Sequence, residues 1–305
     1  MATKPLRVGI VMDPIESITP YKDSSLAMLL EAERREAEIH YFNQSDLKLV
    51  SGTALGRSRR LNVEDSRSNW WRFGEEQEIA LGDLDVILMR KDPPFDMEYI
   101  YTTYILDRAR LAGALIMNEP EALRNMNEKA YTAWFPECVP PTLITRSMDE
   151  MRAFLAEHRH AVIKPLGGMG GRSIFVIRQG DKNANVVFET LTDYGRQFAM
   201  AQTYIPEISL GDKRILLFDG EPVPYALARI PSDDDNRGNL VMGAVGKGQP
   251  LSDRDRELGD RVGPALRDGG VIFAGIDVIG DYLTEINVTS PTGIRELDKA
   301  FGLNI

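Results

Sequence analysis

The chain has 305 residues, of which 43% are hydrophobic and 27% charged, and its formal net charge is −10. This is a globular composition with length for about two domains, and the acidic balance disfavours general nucleic-acid binding, which needs basic surface. A lone cysteine, Cys138, excludes an internal disulfide, and three histidines make an imidazole metal site hard to assemble. The sequence has neither an apolar run of membrane-spanning length nor the apolar core of a signal peptide, so we predict no membrane partner and a cytoplasmic location.

Short apolar runs alternate with helical patterns over the first 124 residues. Strands are predicted at 6–12, 39–42, 85–89 and 115–117, and helices after a cap at Ser24 or Ser25 and over about 98–112. This alternation favours a parallel α/β sheet. Ligands of such sheets gather at the carboxyl ends of the strands, where Asp13, Arg90 and Lys91 lie.

One segment of this first half breaks the alternation. Residues 51–78 are mostly polar, and we expect them to be irregular. The large aromatic side chains of the segment are expected to anchor it to the core: Trp70, Trp71 and Phe73.

The pattern changes after about residue 125, where helices mix with antiparallel hairpins in an α+β arrangement. Ser147-Met-Asp-Glu150 is a capping box that begins a helix. Asp219-Gly220, between two apolar runs, is a hairpin signature. Further strands are predicted at 161–166, 173–177, 198–205, 214–218, 221–229, 271–279 and 282–288, and helices at about 183–194 and 253–267.

A glycine-rich stretch, Lys164-Pro-Leu-Gly-Gly-Met-Gly-Gly-Arg-Ser173, joins two of these strands. Its four glycines allow backbone N–H groups to approach an anion closely. The spacing fits neither the dinucleotide fingerprint nor the nucleotide P-loop. A flexible hairpin loop explains the glycines equally well, but Lys164 on the preceding strand favours a cover over phosphate groups.

Three oxygen-bearing side chains are the candidate metal ligands. Glu285 and Asn287 are two residues apart on a predicted strand and therefore face the same way. Asp277 interrupts the apolar strand before the turn at Gly280-Asp281, and a polar group in such a run needs a partner. Hard oxygen donors without imidazole suit Mg²⁺. The alternative is that all three are solvent-facing residues of an edge strand.

Four cationic residues are candidate ligands for anions. Arg214 and Arg229 lie on the two arms of the predicted hairpin, where arginines are often only surface residues. Arg237 lies in the polar loop 232–239, which either closes over a site and supplies a cation to developing charge or is a disordered acidic loop. Lys129, near the domain junction, either reaches a nucleotide phosphate or is a solvated helix lysine.

These motifs together resemble the ATP-grasp superfamily, and within it the bacterial-type glutathione synthetases. The glycine stretch and Glu285-x-Asn287 indicate only the superfamily, whereas Met89-Arg-Lys-Asp-Pro-Pro94 and Glu285-Ile-Asn-Val-Thr-Ser-Pro291 are more specific. Other matching segments occur in order over nearly the whole chain, at 9–14, 22–25, 85–96, 127–129, 211–214, 219–224, 228–231 and 237–239.

The resemblance implies an ATP-grasp fold, which combines α/β with α+β structure. Its parts would be an N-terminal parallel α/β substrate domain at 1–124, a lid subdomain at 125–200 and a metal-binding C-terminal subdomain at 201–305. It also implies an ADP-forming ligase that joins γ-glutamylcysteine and glycine into glutathione. The implied cofactors are ATP and Mg²⁺, with Mn²⁺ as an alternative.

The resemblance also implies roles for individual residues. The nucleotide-binding set is Lys129, Lys164, Gly167, Gly168, Gly170, Gly171, Gln202, Tyr204, Ile205 and Asp212. In this set the lysines hold phosphates, the glycines cover them, Asp212 approaches the ribose and the remaining three line the adenine pocket. Asp277, Glu285 and Asn287 bind the metal.

An acyl phosphate connects these roles to the reaction. The acceptor is the cysteinyl carboxylate of γ-glutamylcysteine, a poor acylating agent until ATP phosphorylates it. Arg214 and Arg237 are the candidates for stabilising the tetrahedral oxyanion. Arg90, Lys91 and Arg229 are the candidates for binding the peptide substrate. We name no general base.

Three other functions are weighed against this one. Another ATP-grasp carboxylate–amine ligase, of the D-alanine–D-alanine ligase type, would share the phosphate and metal residues. A nucleotide-binding regulator without turnover is disfavoured by the intact metal set. An NAD-dependent oxidoreductase lacks a glycine fingerprint after Met12.

Two further expectations concern assembly and the C-terminus. Exposed apolar residues in the first domain predict a homo-oligomer, a dimer or a tetramer. Family members usually continue past the Ile294-Arg-Glu296 helix into another helix, whereas this chain ends at Ile305. We therefore assign to this chain none of the contacts that such a C-terminal helix makes in family members.

Overall fold

A seven-stranded sheet organises the first part of the chain. The computed structural model describes residues 4–168, 171–230 and 245–305. The first elements are β1 (Arg7–Val11), α1 (Ser24–Arg34), β2 (Glu38–Phe42), β3 (Leu47–Val50), β4 (Thr53–Val63), β5 (Trp71–Ala80), β6 (Val86–Met89), α2 (Met97–Leu111), β7 (Leu115–Met117) and α3 (Pro120–Asn125). Strands β2, β1, β6 and β7 are parallel, as predicted. Strands β3, β4 and β5 add antiparallel pairs, so the sheet is mixed and not wholly parallel.

The prediction of irregular structure over 51–78 is wrong, because most of this segment is the β4–β5 hairpin. Small residues occupy inward positions of β4, and a Cβ on Gly56 would lie 2.6 Å from the Phe42 ring. Outward positions pair opposite charges across the strands, as Arg57 does with Glu78. The inward side chains in the first half of β4 are small, so the two-residue period that marks a strand is hard to recognise there. The predicted aromatic anchors do pack against the core: Trp70, Trp71 and Phe73.

Helix α1 is capped by Asp23, whose side chain accepts a hydrogen bond from a backbone N–H of the first turn at 2.7 Å. The predicted serine caps are therefore wrong. Ser24 is buried, and its Oγ accepts a hydrogen bond from Ile294 N at 3.2 Å. Ser25 Oγ accepts one from Arg90 Nε at 3.0 Å. Both serines thus connect α1 to distant parts of the chain.

The second sheet has four antiparallel strands in the order β10-β9-β11-β8. Its elements are β8 (Thr142–Thr145), α4 (Met148–His158), β9 (His160–Pro165), β10 (Phe175–Arg178), α5 (Ala184–Thr192) and β11 (Ala199–Thr203). The predicted capping box is half formed. Ser147 Oγ accepts from Glu150 N at 3.3 Å, but the Glu150 carboxylate accepts from Thr145 Oγ1 instead of from the cap backbone. Strand β11 spans position 200, where the sequence suggested a domain boundary.

The third sheet has five antiparallel strands in the order β14-β13-β12-β15-β16. Its elements are β12 (Asp212–Phe218), β13 (Glu221–Ile230), β14 (Val245–Pro250), α6 (Asp253–Asp268), β15 (Phe273–Ile279), β16 (Tyr282–Asn287) and α7 (Ile294–Phe301). The predicted Asp219-Gly220 turn is confirmed, since both residues have positive φ, 49° and 78°. No helix in the described parts of the chain is long and apolar enough to cross a membrane.

Asn118, which follows β7, joins the first sheet to the third. Its buried carboxamide makes four hydrogen bonds to backbone groups. Nδ2 donates to Phe273 O at 2.7 Å and to Val288 O at 2.8 Å. Oδ1 accepts from Ile272 N and Phe273 N, both at 2.8 Å. One side chain therefore fixes the start of β15 and the end of β16 relative to the first sheet.

Replacement of Asn118 by leucine keeps the approximate shape of the side chain but removes a hydrogen-bond partner from four backbone groups. We expect Asn118→Leu to lower the apparent free energy of unfolding by about 2–5 kcal/mol, measured by urea denaturation and circular dichroism. Asn62→Leu is the control, since Asn62 makes one 3.3 Å bond to Glu33, and it should lose less than about 1 kcal/mol. Equal losses in the two variants would contradict the linking role of Asn118.

Candidate active site

A cavity of about 530 Å³ is lined by strand residues of the second and third sheets and by loops of all three sheets. Most of the predicted site residues lie in its wall: Lys129, Lys164, Gly168, Gly171, Gln202, Tyr204, Ile205, Asp212, Arg214, Arg229, Asp277, Glu285 and Asn287. The fold therefore gathers side chains that are far apart in sequence, from Lys129 to Asn287.

The centre of the cavity wall is built from cross-strand pairs of the third sheet. Asp277 on β15 lies opposite Arg214 on β12 and opposite Glu285 on β16. Both carboxylate oxygens of Asp277 accept hydrogen bonds from Arg214, with Nη2 and Oδ2 2.8 Å apart. Arg229 on β13 reaches the same Oδ2 at 3.0 Å. Arg229 also donates two hydrogen bonds to Asp212, one of 2.9 Å from Nε to Oδ1.

Two glycines make room for this ion network. A Cβ on Gly275 would lie 2.7 Å from Cδ of Arg214. A Cβ on Gly211 would lie 2.7 Å from the carbonyl oxygen of Arg229, and Gly211 has a φ of +99°, which side chains rarely allow. The glycine in the Gly211-Asp-Lys-Arg214 motif is therefore required by the close approach of the neighbouring strand.

Burial and ion pairing act in opposite directions on the acids of the network. Burial raises the pKa of Asp277, but Arg214 and Arg229 outweigh it and hold the pKa below its usual range. For Asp212 burial is the larger effect, and it raises the pKa to about 6 despite the attraction of Arg229. Asp277 is therefore the firmly ionised carboxylate of the pair.

Two buried lysines form a cationic region beside this network. Lys129 and Lys164 are 3% and 4% exposed, so both depend on protein partners for their charge. The Lys129 ammonium is ion-paired with Glu128, donates to Gly168 O at 3.0 Å and lies 3.8 Å from Glu285 Oε1. Lys164 Nζ donates to a backbone carbonyl of β16 at 3.3 Å.

The two lysines differ in how well their charge is compensated. Burial lowers the pKa of Lys164, because nearby Glu285 only partly offsets the loss of water. At Lys129 the burial effect is outweighed by Glu285 and Glu128, which raise its pKa. Burial and the neighbouring Glu285 raise the pKa of Glu128 to about 7, against the attraction of Lys129. An incoming phosphate would therefore add most to the stability of the Lys164 ammonium.

The segment around Lys129 ties the glycine-rich stretch to the third sheet. Asn127 Nδ2 donates to Leu166 O at 3.1 Å. Glu128 O accepts from Ile286 N at 2.8 Å, between the two candidate metal ligands of β16. The segment that carries Lys129 is thus held by the glycine-rich stretch on one side and by β16 on the other.

The other end of the cavity is more apolar. Tyr204 follows β11, and its ring stacks on His160 with centroids 3.9 Å apart. Gln202 and Ile205 are buried, and Gln202 Nε2 donates to Thr142 Oγ1 at 3.0 Å. Further apolar residues at this end are Val162, Ile174, Val176, Ile208 and Ile279. Such a slot with a few polar groups suits a planar base.

The predicted metal ligands supply two carboxylates and one carboxamide. Asn287 Nδ2 donates to Asp277 Oδ2 at 3.3 Å, which brings the amide next to one of the two acids. Asp277 is also engaged by two arginines, and the described residues contain no group of three or more His, Cys, Asp or Glu side chains set to hold a metal. The donor chemistry fits a hard cation only if other oxygens complete the set. Mg²⁺ commonly shares phosphate oxygens in this way.

Of the three predicted peptide ligands, Arg229 lies in the cavity wall, whereas Arg90 and Lys91 lie beside the cavity. Arg90 is buried and donates to Pro291 O at 2.9 Å, and burial lowers its pKa. Lys91 Nζ forms a 3.0 Å ion pair with Asp13, which does line the cavity.

Of the remaining predicted residues, Gly167 lines a small adjoining cavity. Gly170 and Arg237 fall outside the described residues.

Several residues of the cavity wall had no predicted role. Glu128 lies between two residues quoted in a motif, and Lys22 begins another. The segment 289–292 after β16 and Glu296 on α7 also line the cavity. The only signal in the sequence was their place in motifs, because neither their spacing nor their residue type indicates what they contact.

Known protein families match both halves of the chain. The model described as prokaryotic glutathione synthetase, N-terminal domain, matches residues 6–124. The model described as prokaryotic glutathione synthetase, ATP-grasp domain, matches residues 128–302. The glutathione synthetase of Vibrio parahaemolyticus serotype O3:K6 is 54% identical over 300 residues, which cover 98% of this chain and 95% of the relative.

Solved structures agree with these matches at the level of fold. A D-cycloserine synthetase has a TM-score of 0.67 and 14% identity, with 98% of each chain covered. D-alanyl-alanine synthetase A from Vibrio cholerae O1 has a TM-score of 0.60 and 12% identity, with 99% of this chain and 95% of that chain covered. At such low identity the likeness concerns the fold alone.

Replacement of Asp277 by asparagine should destabilise the protein, because it leaves two buried arginines undercompensated. We expect Asp277→Asn to lower the apparent free energy of unfolding by about 3–5 kcal/mol in guanidinium denaturation. Asp253→Asn is the matched control, since the Asp253 side chain is fully exposed and pairs with Arg256 within one helix, and it should change stability by less than about 0.5 kcal/mol. Similar stability of the two variants would show that the network is not a structural requirement.

Proposed function

The chain belongs to the prokaryotic glutathione synthetase family, and from this membership we propose that it joins γ-glutamylcysteine to glycine with conversion of ATP to ADP and phosphate. The observation that supports this most is identity of 54% over 98% of the chain. Use of ATP and of a divalent metal follows from the same membership. We propose Mg²⁺ as that metal, with Mn²⁺ as a substitute.

The proposed reaction has two chemical steps. An oxygen of the cysteinyl carboxylate attacks the γ-phosphorus of ATP, the bond to ADP breaks, and an acyl phosphate forms. The glycine nitrogen then attacks the acyl carbon, loses a proton, and inorganic phosphate leaves. The first step brings a carboxylate up to the anionic triphosphate, and the second creates an oxyanion beside a phosphate group. The site must therefore supply cations and exclude water.

We propose that the buried cations of the cavity compensate this negative charge. Lys129 and Lys164 would hold the ATP phosphates under the glycine stretch, whose described residues include Gly167, Gly168 and Gly171. Arg214 would face the oxyanion of the second step, because its guanidinium lines the cavity next to Asp277. Arg237 and Gly170, outside the described residues, remain proposals on the motif alone.

The other end of the cavity would hold the nucleoside. Gln202, Tyr204 and Ile205 are proposed to contact adenine, since they line the apolar end of the cavity. Asp212 is proposed to approach the ribose, and its two bonds to Arg229 would hold its carboxylate in place. Arg229 would then act on the substrates mainly through the ion network that it completes.

The metal is proposed to bind Glu285 and Asn287, with Asp277 beside them and phosphate oxygens completing the set. When bound, it would neutralise phosphate charge as the acyl phosphate forms. Arg90 would act on the peptide through Pro291, whose carbonyl oxygen it binds, and Lys91 would act through its ion pair with Asp13. The domain boundaries, the homo-oligomer and the cytoplasmic location stay predictions.

The D-alanine–D-alanine ligase type remains the alternative within the fold. The structural likeness to D-alanyl-alanine synthetase A does not favour it, because identity is only 12%. A direct assay separates the two. We expect ADP release with γ-glutamylcysteine plus glycine, none when either is omitted, and none with D-alanine. ADP release that requires D-alanine would overturn the proposed function.

Glu285→Gln tests the proposed metal role by removing one carboxylate while keeping the shape. We expect the rate of ADP release to fall by about 100-fold or more, as for loss of a group that stabilises transition-state charge. Excess Mg²⁺ should recover part of the rate. Glu221→Gln is the control, because Glu221 is an exposed strand glutamate that pairs with Arg267. Unchanged ligation by Glu285→Gln would contradict the metal assignment.

A further inference from the structure

The glycine-rich stretch brings a cationic side chain to the cavity in addition to its glycines. Arg172, near the end of the stretch, lines the cavity and is exposed to solvent. Its guanidinium makes no ion pair or hydrogen bond with any residue that the structure describes. Lys129, by contrast, is ion-paired with Glu128, and Lys164 donates to a backbone carbonyl. Arg172 therefore offers N–H donors that those protein partners do not occupy.

The backbone places Arg172 on a turn between the glycines and β10. Both of its neighbours have positive φ, +72° for Gly171 and +57° for Ser173. Such a φ is uncommon for a residue with a side chain, as at Ser173. The strand itself begins only at Phe175. The arginine thus projects from the end of the cavity wall at which the glycine-rich stretch lies.

The order of residues along β9 and β10 gives the cavity wall a direction. Val162 and Val176 are paired across these strands and line the apolar end. Two residues farther along each chain, Lys164 and Ile174 line the wall, and Arg172 follows two residues beyond Ile174. An extended chain advances about 3.3 Å per residue, so Arg172 lies up to roughly 13 Å from Val176 along this wall. That is the scale separating a nucleotide base from the end of its triphosphate.

We infer that Arg172 binds the terminal phosphoryl group of ATP, the group that is transferred in the reaction. The inference rests on the proposed function, which makes ATP the nucleotide and places its base at the apolar end. Lys164, nearer that end, would contact phosphates that ADP retains. A guanidinium can donate two parallel hydrogen bonds to one phosphate group. The glycine-rich stretch would then distinguish ATP from ADP by a side chain and not only by its backbone.

Equilibrium binding of a nucleotide series tests this contact without turnover. Isothermal titration calorimetry would measure Kd for AMP, ADP and the non-hydrolysable imido analogue of ATP, with saturating Mg²⁺ and no peptide or glycine. We expect Arg172→Ala to weaken the triphosphate analogue by about 10-fold to 50-fold, as for loss of a charged hydrogen bond. The same variant should change Kd for ADP by less than about 3-fold and leave AMP unchanged. Arg172→Lys should recover part of the lost affinity, because it restores the charge without the fork.

Arg178→Ala is the matched control. Arg178 is an exposed arginine at the other end of β10, outside the cavity lining of the described residues. Its removal changes the net charge by the same amount, so it reports any long-range attraction of anions. We expect all three dissociation constants of Arg178→Ala to stay within about 2-fold of the wild-type values. Thermal melts establish that each variant is folded.

The outcomes separate the role of Arg172 from the proposed function. Unchanged affinity of Arg172→Ala for the triphosphate analogue overturns the inference, and so does an equal loss for the triphosphate, ADP and AMP. An equal loss in Arg178→Ala would show only general attraction and also overturns it. In each of these cases ligation by the wild-type protein is unaffected. Absence of ATP-dependent ligation by the wild type overturns the proposed function itself.

Discussion

The paired contact of Arg214 and Arg229 with Asp277 is the interaction on which the active site depends. It joins β12, β13 and β15, and the same Asp277 lies opposite Glu285 on β16. Buried charges are costly unless they are paired and hydrogen-bonded. The same contacts therefore hold the third sheet in register and hold two cationic groups next to the candidate metal ligands. Asp212 completes the set by fixing Arg229.

This arrangement explains how a chain of net charge −10 accommodates a highly anionic reaction. The cations that face the cavity are buried and compensated locally: Arg214 by Asp277 and Lys129 by Glu128. Lys164 is the least compensated of them, and burial lowers its pKa. A nucleotide that enters such a site replaces weak internal partners with phosphate oxygens, so binding energy is concentrated where the phosphoryl group is transferred.

Local turn chemistry made part of the site predictable. A register shift between Asp277 and Val278 places Asp277 opposite Glu285, and no local pattern indicates this shift. The pairing of the strands on either side of Asp219-Gly220 and of Gly280-Asp281 does follow from sequence. The engagement of Asp277 by Arg214 does not, because it joins strands 63 residues apart. The β4–β5 hairpin was missed for a related reason, because small residues such as Gly56 fill the inward positions in the first half of β4. Contacts between distant elements depend on packing, which no local sequence pattern indicates.

The central claim is that ATP activates the cysteinyl carboxylate of γ-glutamylcysteine as an acyl phosphate within this cavity. The most direct test uses γ-glutamylcysteine labelled with ¹⁸O in that carboxylate, followed by mass analysis of the inorganic phosphate formed with glycine and ATP. The account predicts one labelled oxygen in the phosphate for each peptide bond made. Phosphate without label, formed together with ligated product, would contradict it.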